Sequence, residues 1–154
     1  MSDEYRLISI PDTRFYHCNI KTLNLIPNVM AAQQASEAGC NETVFVRDGY
    51  VTECSHSNIS MVKDGVFITH PLDNLILPGT ERKHIIRWCG ELGIPVKERA
   101  FTLEELYTAD EILVTSTSHP SMRAMELNQK AVGMKNPELA VAPVSYTHLR
   151  AHET

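Results

Sequence analysis

Two pairs of short segments with alternating apolar and polar residues, each pair joined by Asp-Gly, dominate the hydrophobic pattern of the chain. Residues 42–47 and 50–53 flank Asp48-Gly49, and residues 59–63 and 66–69 flank Asp64-Gly65, a combination that predicts tight β-hairpins. Alternation over residues 7–18 predicts an earlier strand. Residues 27–38 then place Val29, Ala32, Ala35 and Ala38 at near-helical spacing, with Pro27 suited to the first turn and Gly39 to the end. A turn at 71–74 and a short apolar strand or bridge at 75–77 follow. The next helix enters through Pro78-Gly79-Thr80, carries Ile85, Ile86, Trp88, Cys89 and Leu92, and ends at Gly93. Residues 94–98 predict a strand, Thr102-Leu103-Glu104-Glu105 a capping box opening a short helix to about Thr108, and 111–114 a buried strand. Residues 125–127 and 131–132, joined by Asn128-Gln129-Lys130, predict one more hairpin. Two hairpins in close succession imply an antiparallel or mixed sheet, and with the helices the fold class is α/β (mixed α+β).

Four places in this frame hold residues that a plain scaffold does not need. Lys21 lies in the short apolar bridge between the first strand and the first helix, which makes it a candidate buried amine. An apolar pocket favours the neutral amine, the form that attacks a carbonyl carbon. The alternative is a loop lysine whose ammonium reaches solvent along its stem. Residues 52–58, seven mostly polar positions without the Gly or Pro of an ordinary loop, predict a lined site. Thr80, following Gly79 at a helix start, either presents free N–H groups to a phosphate or caps its own helix. The 111–114 strand runs into Thr115-Ser116-Thr117-Ser118, and because each buried hydroxyl needs a partner, this run predicts an anion-binding edge.

Composition narrows the picture further. At 154 residues and 43% hydrophobic, the chain has material for one core, and length alone suggests one domain. A formal charge of −5 without a basic run outside the last residues argues against nucleic acid as the main partner. Asp3, Glu4 and Arg6 interrupt any signal-peptide pattern and no segment approaches membrane-spanning length, so a cytoplasmic protein with no membrane partner is expected. Cys18, Cys40, Cys54 and Cys89 are widely spaced and read as free thiols, and the seven histidines form no metal-binding cluster.

Several ordered stretches resemble the pyridoxal-phosphate enzymes of the class IV aminotransferase family, and within it the D-amino-acid (D-alanine) aminotransferases. They are Cys18-Asn19-Ile20-Lys21-Thr22-Leu23-Asn24, Val46-Arg47-Asp48-Gly49-Tyr50-Val51-Thr52-Glu53, Ser57-Asn58, Leu77-Pro78-Gly79-Thr80 and Val114-Thr115-Ser116-Thr117. The resemblance covers residues 1 to about 132. It implies the C-terminal cofactor-binding domain of fold type IV, with pyridoxal 5'-phosphate as cofactor. By it, Lys21 is the lysine that forms the Schiff base and shuttles the substrate proton, and Glu53 is the carboxylate facing the pyridine nitrogen. Arg14, Thr80, Ser116 and Thr117 bind the phosphate, and Leu77 packs against a ring face. The implied reaction moves an amino group between a D-amino acid such as D-alanine and a 2-oxo acid such as 2-oxoglutarate, in a homodimer of the full-length parent, and the 154-residue chain itself is expected to bind cofactor weakly and be poorly active. Branched-chain aminotransferase and aminodeoxychorismate lyase are alternatives on the same fold, and a catalytically silent fragment or interaction module is an alternative of another class.

This sequence departs from the family pattern at four positions. Asn19 stands where aspartate is usual, Cys54 where glycine is usual, His56 in a run of small serines, and Glu81 where a neutral or hydroxyl residue is expected. His56 is expected to be a site-wall residue, with contact to substrate or cofactor as the alternative, and His17 a packing residue or one that supports the site from behind its lining. Residues 1–142 are expected to be a partial cofactor-binding large domain lacking the small N-terminal domain. Residues 143–154 have no periodicity and resemble translated adapter sequence.

Overall fold

Among the described residues of this computed structural model (4–21, 25–116 and 122–135), ten strands and three helices follow one another. They are β1 (Glu4–Pro11), α1 (Ile26–Glu37), β2 (Glu42–Arg47), β3 (Tyr50–Cys54), β4 (Asn58–Lys63), β5 (Val66–Thr69) and α2 (Thr80–Leu92), then β6 (Val96–Glu98), β7 (Phe101–Thr102), α3 (Leu103–Thr108), β8 (Glu111–Thr115), β9 (Met122–Leu127) and β10 (Lys130–Ala131). The strands form one mixed sheet in the order β6-β5-β4-β8-β9-β1-β2-β3-β7, with β10 added on β9. β1 runs parallel to both β2 and β9, β5 runs parallel to β6, and the remaining pairs are antiparallel.

The two ends of that order, β6 and β7, are consecutive in the chain and separated only by Arg99 and Ala100. Likewise β3 and β4, far apart in the order, are joined by three residues, Ser55, His56 and Ser57. These short connections require the sheet to curl, with its right-handed twist bringing the ends toward each other. Inside the curl lies the main core, including Leu7, Val44, Val51, Ile59, Met61, Phe101, Ile112 and Leu127. A second cluster is built where α2 sets Ile85, Trp88 and Cys89 against Val62, Phe67 and Leu113.

Both Asp-Gly hairpins form as expected, with Asp48 and Gly49, and Asp64 and Gly65, at positive φ. The capping box on α3 is present, with Thr102 accepting from the Glu105 N–H, and Gly93 closes α2 in the left-handed conformation. All four cysteines are free thiols.

Other expectations need correction. The first strand ends at Pro11 rather than reaching residue 18, because Asp12 turns the chain by accepting the Arg14 N–H at 3.1 Å. Helix α1 buries Asn28, Ala31 and Ala35, not the face carrying Val29, which is 59% exposed. Residues 75–77 join no strand; the Leu75 carbonyl accepts from Arg14, the Leu75 N–H donates to Asp73, and the Leu77 N–H and carbonyl bond Glu53 and Asn58. The strand expected at 94–98 is shorter, and the turn between β9 and β10 is Asn128-Gln129 alone, both at positive φ. Residues 143–154 lie outside the described residues, and the proposed division at residue 142 falls there too.

Candidate active site

Glu53 sits near the end of β3, Arg14 in the turn that Asp12 creates, and Asn58 at the first position of β4. Arg14 Nη1 is 2.5 Å from Glu53 Oε1, and both residues are 6% exposed. Glu53 Oε2 accepts from Asn58 Nδ2 and from the Leu77 N–H, each at 3.0 Å. The rest of the Arg14 guanidinium is occupied. Nε donates to Asp12 Oδ1 at 2.9 Å, Nη2 donates to Asp12 Oδ2 and to the Leu75 carbonyl at 2.9 Å, and the group lies over the Phe45 ring. Asp12 has no exposed side-chain surface, accepts a further bond from Thr52 Oγ1 at 2.8 Å, and pairs with Arg47 at 3.0 Å.

Burial pushes the Glu53 carboxyl up to about 7, against the downward pull of Arg14 and the Leu77 N–H. The short Arg14 contact argues for ionisation and the burial argues against it. Burial prevails because Arg14 divides its charge between two carboxylates. At Asp12 burial works upward as well, but the hydrogen bonds and charge of Arg14 outweigh it and hold the carboxyl below its ordinary value. Arg14 thus holds Asp12 ionised, while burial favours the protonated form of Glu53 against the pull of the same arginine.

The wall beside Glu53 is the bend of Ser55, His56 and Ser57. It is pinned from β2 by the buried Glu42 carboxylate, which accepts from the Ser55 N–H and hydroxyl, the His56 N–H and the Ser57 hydroxyl. From α1, Asn28 Nδ2 donates to the Ser55 carbonyl at 2.9 Å. A carboxylate with four such donors and an amide from a neighbouring helix make this bend rigid despite its length.

The opposite wall is the start of α2. Gly79 is its N-cap residue with extended backbone, no side chain caps the helix, and Thr80 is its first residue. The first-turn N–H groups of such a helix have no intrahelical acceptors and attract an anion. Nearby, Thr115 is 3% exposed and its Oγ1 has no hydrogen-bond partner among the described residues.

These walls enclose a cavity of about 300 Å³. Of the residues expected at the site, Arg14, Lys21, Glu53, Leu77, Thr80 and Ser116 all line it, and Thr117 lies outside the described residues. Lys21 is exposed at the rim rather than buried, because its apolar neighbours Ile20 and Leu25 are 55% and 44% exposed and do not cover it. His17 is also exposed, with its ring edge-on to Phe15, not packed in the core. His56 lines the cavity from an exposed position. Glu81 lines it as well and is half-buried, so its carboxylate is not turned fully outward. Cys18 and Cys54 complete the lining as buried thiols whose burial pushes their ionisation up. Asp12, Asn28 and Glu42 have no counterpart in the sequence reading. A charge placed directly after a strand-ending proline was the only signal for Asp12.

Comparison with known proteins gives consistent relatives. The sequence profile described as amino-transferase class IV matches residues 4–127. The chain is 48% identical over 112 residues to the D-alanine aminotransferase of Listeria monocytogenes, covering 73% of this chain and 39% of that protein. It is 39% identical over 130 residues to the D-alanine aminotransferase of Bacillus licheniformis, covering 84% of this chain and 46% of that protein. It thus spans less than half the length of these relatives. In structure it is similar to a fold IV-transaminase of Curtobacterium pusillum, with a TM-score of 0.83 at 22% identity over 94% of this chain and 52% of that one.

Proposed function

Because the chain belongs to the class IV aminotransferase family, we propose that it is part of the cofactor-holding domain of a pyridoxal-phosphate-dependent D-amino-acid aminotransferase. The observation that carries this reading is the convergence of Lys21, Glu53 and the start of α2 on one cavity. Pyridoxal 5'-phosphate is the cofactor typical of the family, and the residues present fit it. The unpartnered Thr115 hydroxyl and the uncapped N-terminus of α2 lack an acceptor and suit a phosphate, while Glu53 offers a carboxylate to a ring nitrogen. Among the described residues at the start of α2, half-buried Glu81 opposes an anion.

When bound, the cofactor supplies an aldehyde carbon for an amine and a ring that withdraws electrons from the substrate α carbon. The chain's own residues do the rest. Thr80 and Ser116 would hold the phosphate, together with Thr117, which lies outside the described residues, and Leu77 would pack against the ring. Glu53, with its carboxyl raised to about 7, holds or releases a proton where the ring nitrogen faces it. Arg14 keeps Glu53 in place and balances its charge, and is placed to add to the phosphate contacts only by leaving Asp12 or Glu53. Lys21, exposed at the rim of the cavity, would take a proton from the substrate at its Nζ and return it.

The D-alanine and 2-oxoglutarate pair is favoured by the 39–48% identity to D-alanine aminotransferases. The homodimer, and a longer parent protein with a second domain, belong to the same proposal, since the relatives are more than twice the matched length. Mixing the chain with pyridoxal 5'-phosphate tests it directly. A stoichiometric visible absorbance band that is absent in Lys21→Ala supports the reading, and a band insensitive to that substitution overturns it. Incubating the longer parent with D-alanine or L-leucine and 2-oxoglutarate then decides the substrate.

A further inference from the structure

We propose that Asn58 is a positioning residue that sets Glu53 in register with the start of α2, so that one side chain governs the spacing between the ring-nitrogen end and the phosphate end of the site. The inference rests on the cofactor reading above. Asn58 is 6% exposed, and its amide carries two hydrogens. One goes to Glu53 Oε2 and the other to the Leu77 carbonyl, each at 3.0 Å, while the Leu77 N–H closes the ring by donating to the same Oε2. Glu53, Asn58 and Leu77 are thereby locked into one cyclic unit.

The unit continues to the helix. Leu77 lies two residues before Gly79, the N-cap residue of α2, and a Cβ built on Gly79 would collide with Asn58 Oδ1. Gly79 has φ of −71°, where any residue fits, so the glycine is required by the closeness of Asn58 and not by backbone conformation. Residues 75–79 belong to no strand, so no ladder fixes their distance from β3. Asn58 therefore touches both ends of the site and braces the direct Leu77 N–H bond to Glu53 with two bonds of its own. Alanine removes both Asn58 bonds and leaves the Leu77 N–H as the one remaining tie to Glu53 Oε2 in this ring, and aspartate keeps the shape but loses both donors and sets a second charge against Glu53.

The experiment compares two probes on the same chain by calorimetry. One is pyridoxal 5'-phosphate, and the other is its carbocyclic analogue, with C–H in place of the ring nitrogen. Asn58→Ala is expected to lower affinity for the first about tenfold while leaving the second within about twofold, because the lost interaction runs through Glu53 to the ring nitrogen. Asn58→Ser, too short to reach both partners, is expected to give the same pattern and decides the question if Asn58→Ala does not fold. Equal losses for both probes, or none, would overturn the role of Asn58 while leaving the cofactor reading intact. Failure of the unsubstituted chain to bind either probe would overturn both.

Discussion

Arg14 and Glu53 form a buried ion pair of 2.5 Å in which the carboxyl nevertheless keeps a pKa raised to about 7. The arginine is shared, and its firmer partner is Asp12, so the pair holds Glu53 in place without fixing its charge. A carboxyl in this condition contributes to the pH dependence of the fold even before any ligand arrives.

The sign follows from linkage. The folded chain binds the Glu53 proton more tightly than the unfolded chain, whose carboxyl titrates near 4.5, so stability from this group is present below about pH 4.5 and is lost as pH rises through 7. Urea unfolding from pH 4.5 to 7.5 should show a decline of up to about 3 kcal/mol from this source, at about 1.4 kcal/mol per pKa unit. Glu53→Gln should flatten that part of the profile. An unchanged slope would mean that Glu53 is ionised in the fold throughout.

Asp12 should be the costliest single polar residue to remove. Asp12→Ala leaves Arg14 and Arg47 without their shared carboxylate in a buried setting, a loss of about 3–5 kcal/mol. Asp12→Asn, which retains an acceptor, should lose less. Chemical denaturation of the three proteins orders them.

Gly79→Ala and Asn58→Ala should not be additive. The first forces a methyl against Asn58 Oδ1 and should cost about 1–3 kcal/mol. With Asn58 already truncated, that clash is gone, so a double-mutant cycle should return a coupling above about 0.5 kcal/mol. Additive losses would place the strain elsewhere.

Glu42→Gln should loosen the wall of the cavity more than the fold. It turns one acceptor among the Ser55, His56 and Ser57 donors into a donor, with a cost of about 1–3 kcal/mol. Amide exchange at Ser55 and His56 should accelerate selectively. Uniform acceleration across β2 and β3 would assign Glu42 to the sheet instead.

Thr115→Val should stabilise the ligand-free chain by about 1 kcal/mol, because it replaces an unpartnered buried hydroxyl with an apolar group of similar shape. The same substitution should weaken inorganic phosphate binding, followed by phosphorus NMR. A destabilised variant would show that the hydroxyl is satisfied in solution.

What the sequence made legible was local. Asp-Gly fixes a hairpin through two neighbouring residues, and Thr102 with Glu105 fixes a helix start through four, so both stand in the fold as read. The network around Glu53 depends on partners far along the chain: Arg14 is 39 residues from Glu53, and Leu77 is 24. No periodicity reports such pairings, so Asp12, Asn28 and Glu42 carry no sequence signal of their roles and the apolar pattern of residues 75–77 suggests a short strand or bridge that does not form. Lys21 was located by its apolar surroundings, yet those same residues are exposed, since hydrophobic neighbours in sequence need not be a hydrophobic cover in space. Of the polar run 52–58, residues 53–58 line the cavity and Thr52 does not, and the run is the end of β3, a bend of three residues and the start of β4 rather than one loop.

The placement of β1 between β2 and β9 governs how this chain can come into being. Both Asp-Gly hairpins can form within their own segments as soon as they are synthesised, in microseconds. Yet β1 gains its second neighbour only when β9 arrives, and the Ser9 N–H finds Asn128 Oδ1 across 119 residues. Closure of the curl is therefore a late and entropically costly event, typical of slow-folding topologies rich in distant contacts. Until residue 128 has left the ribosome, β1 waits with one edge unpaired, which makes the nascent chain's period of exposure to aggregation and chaperones a property of its strand order.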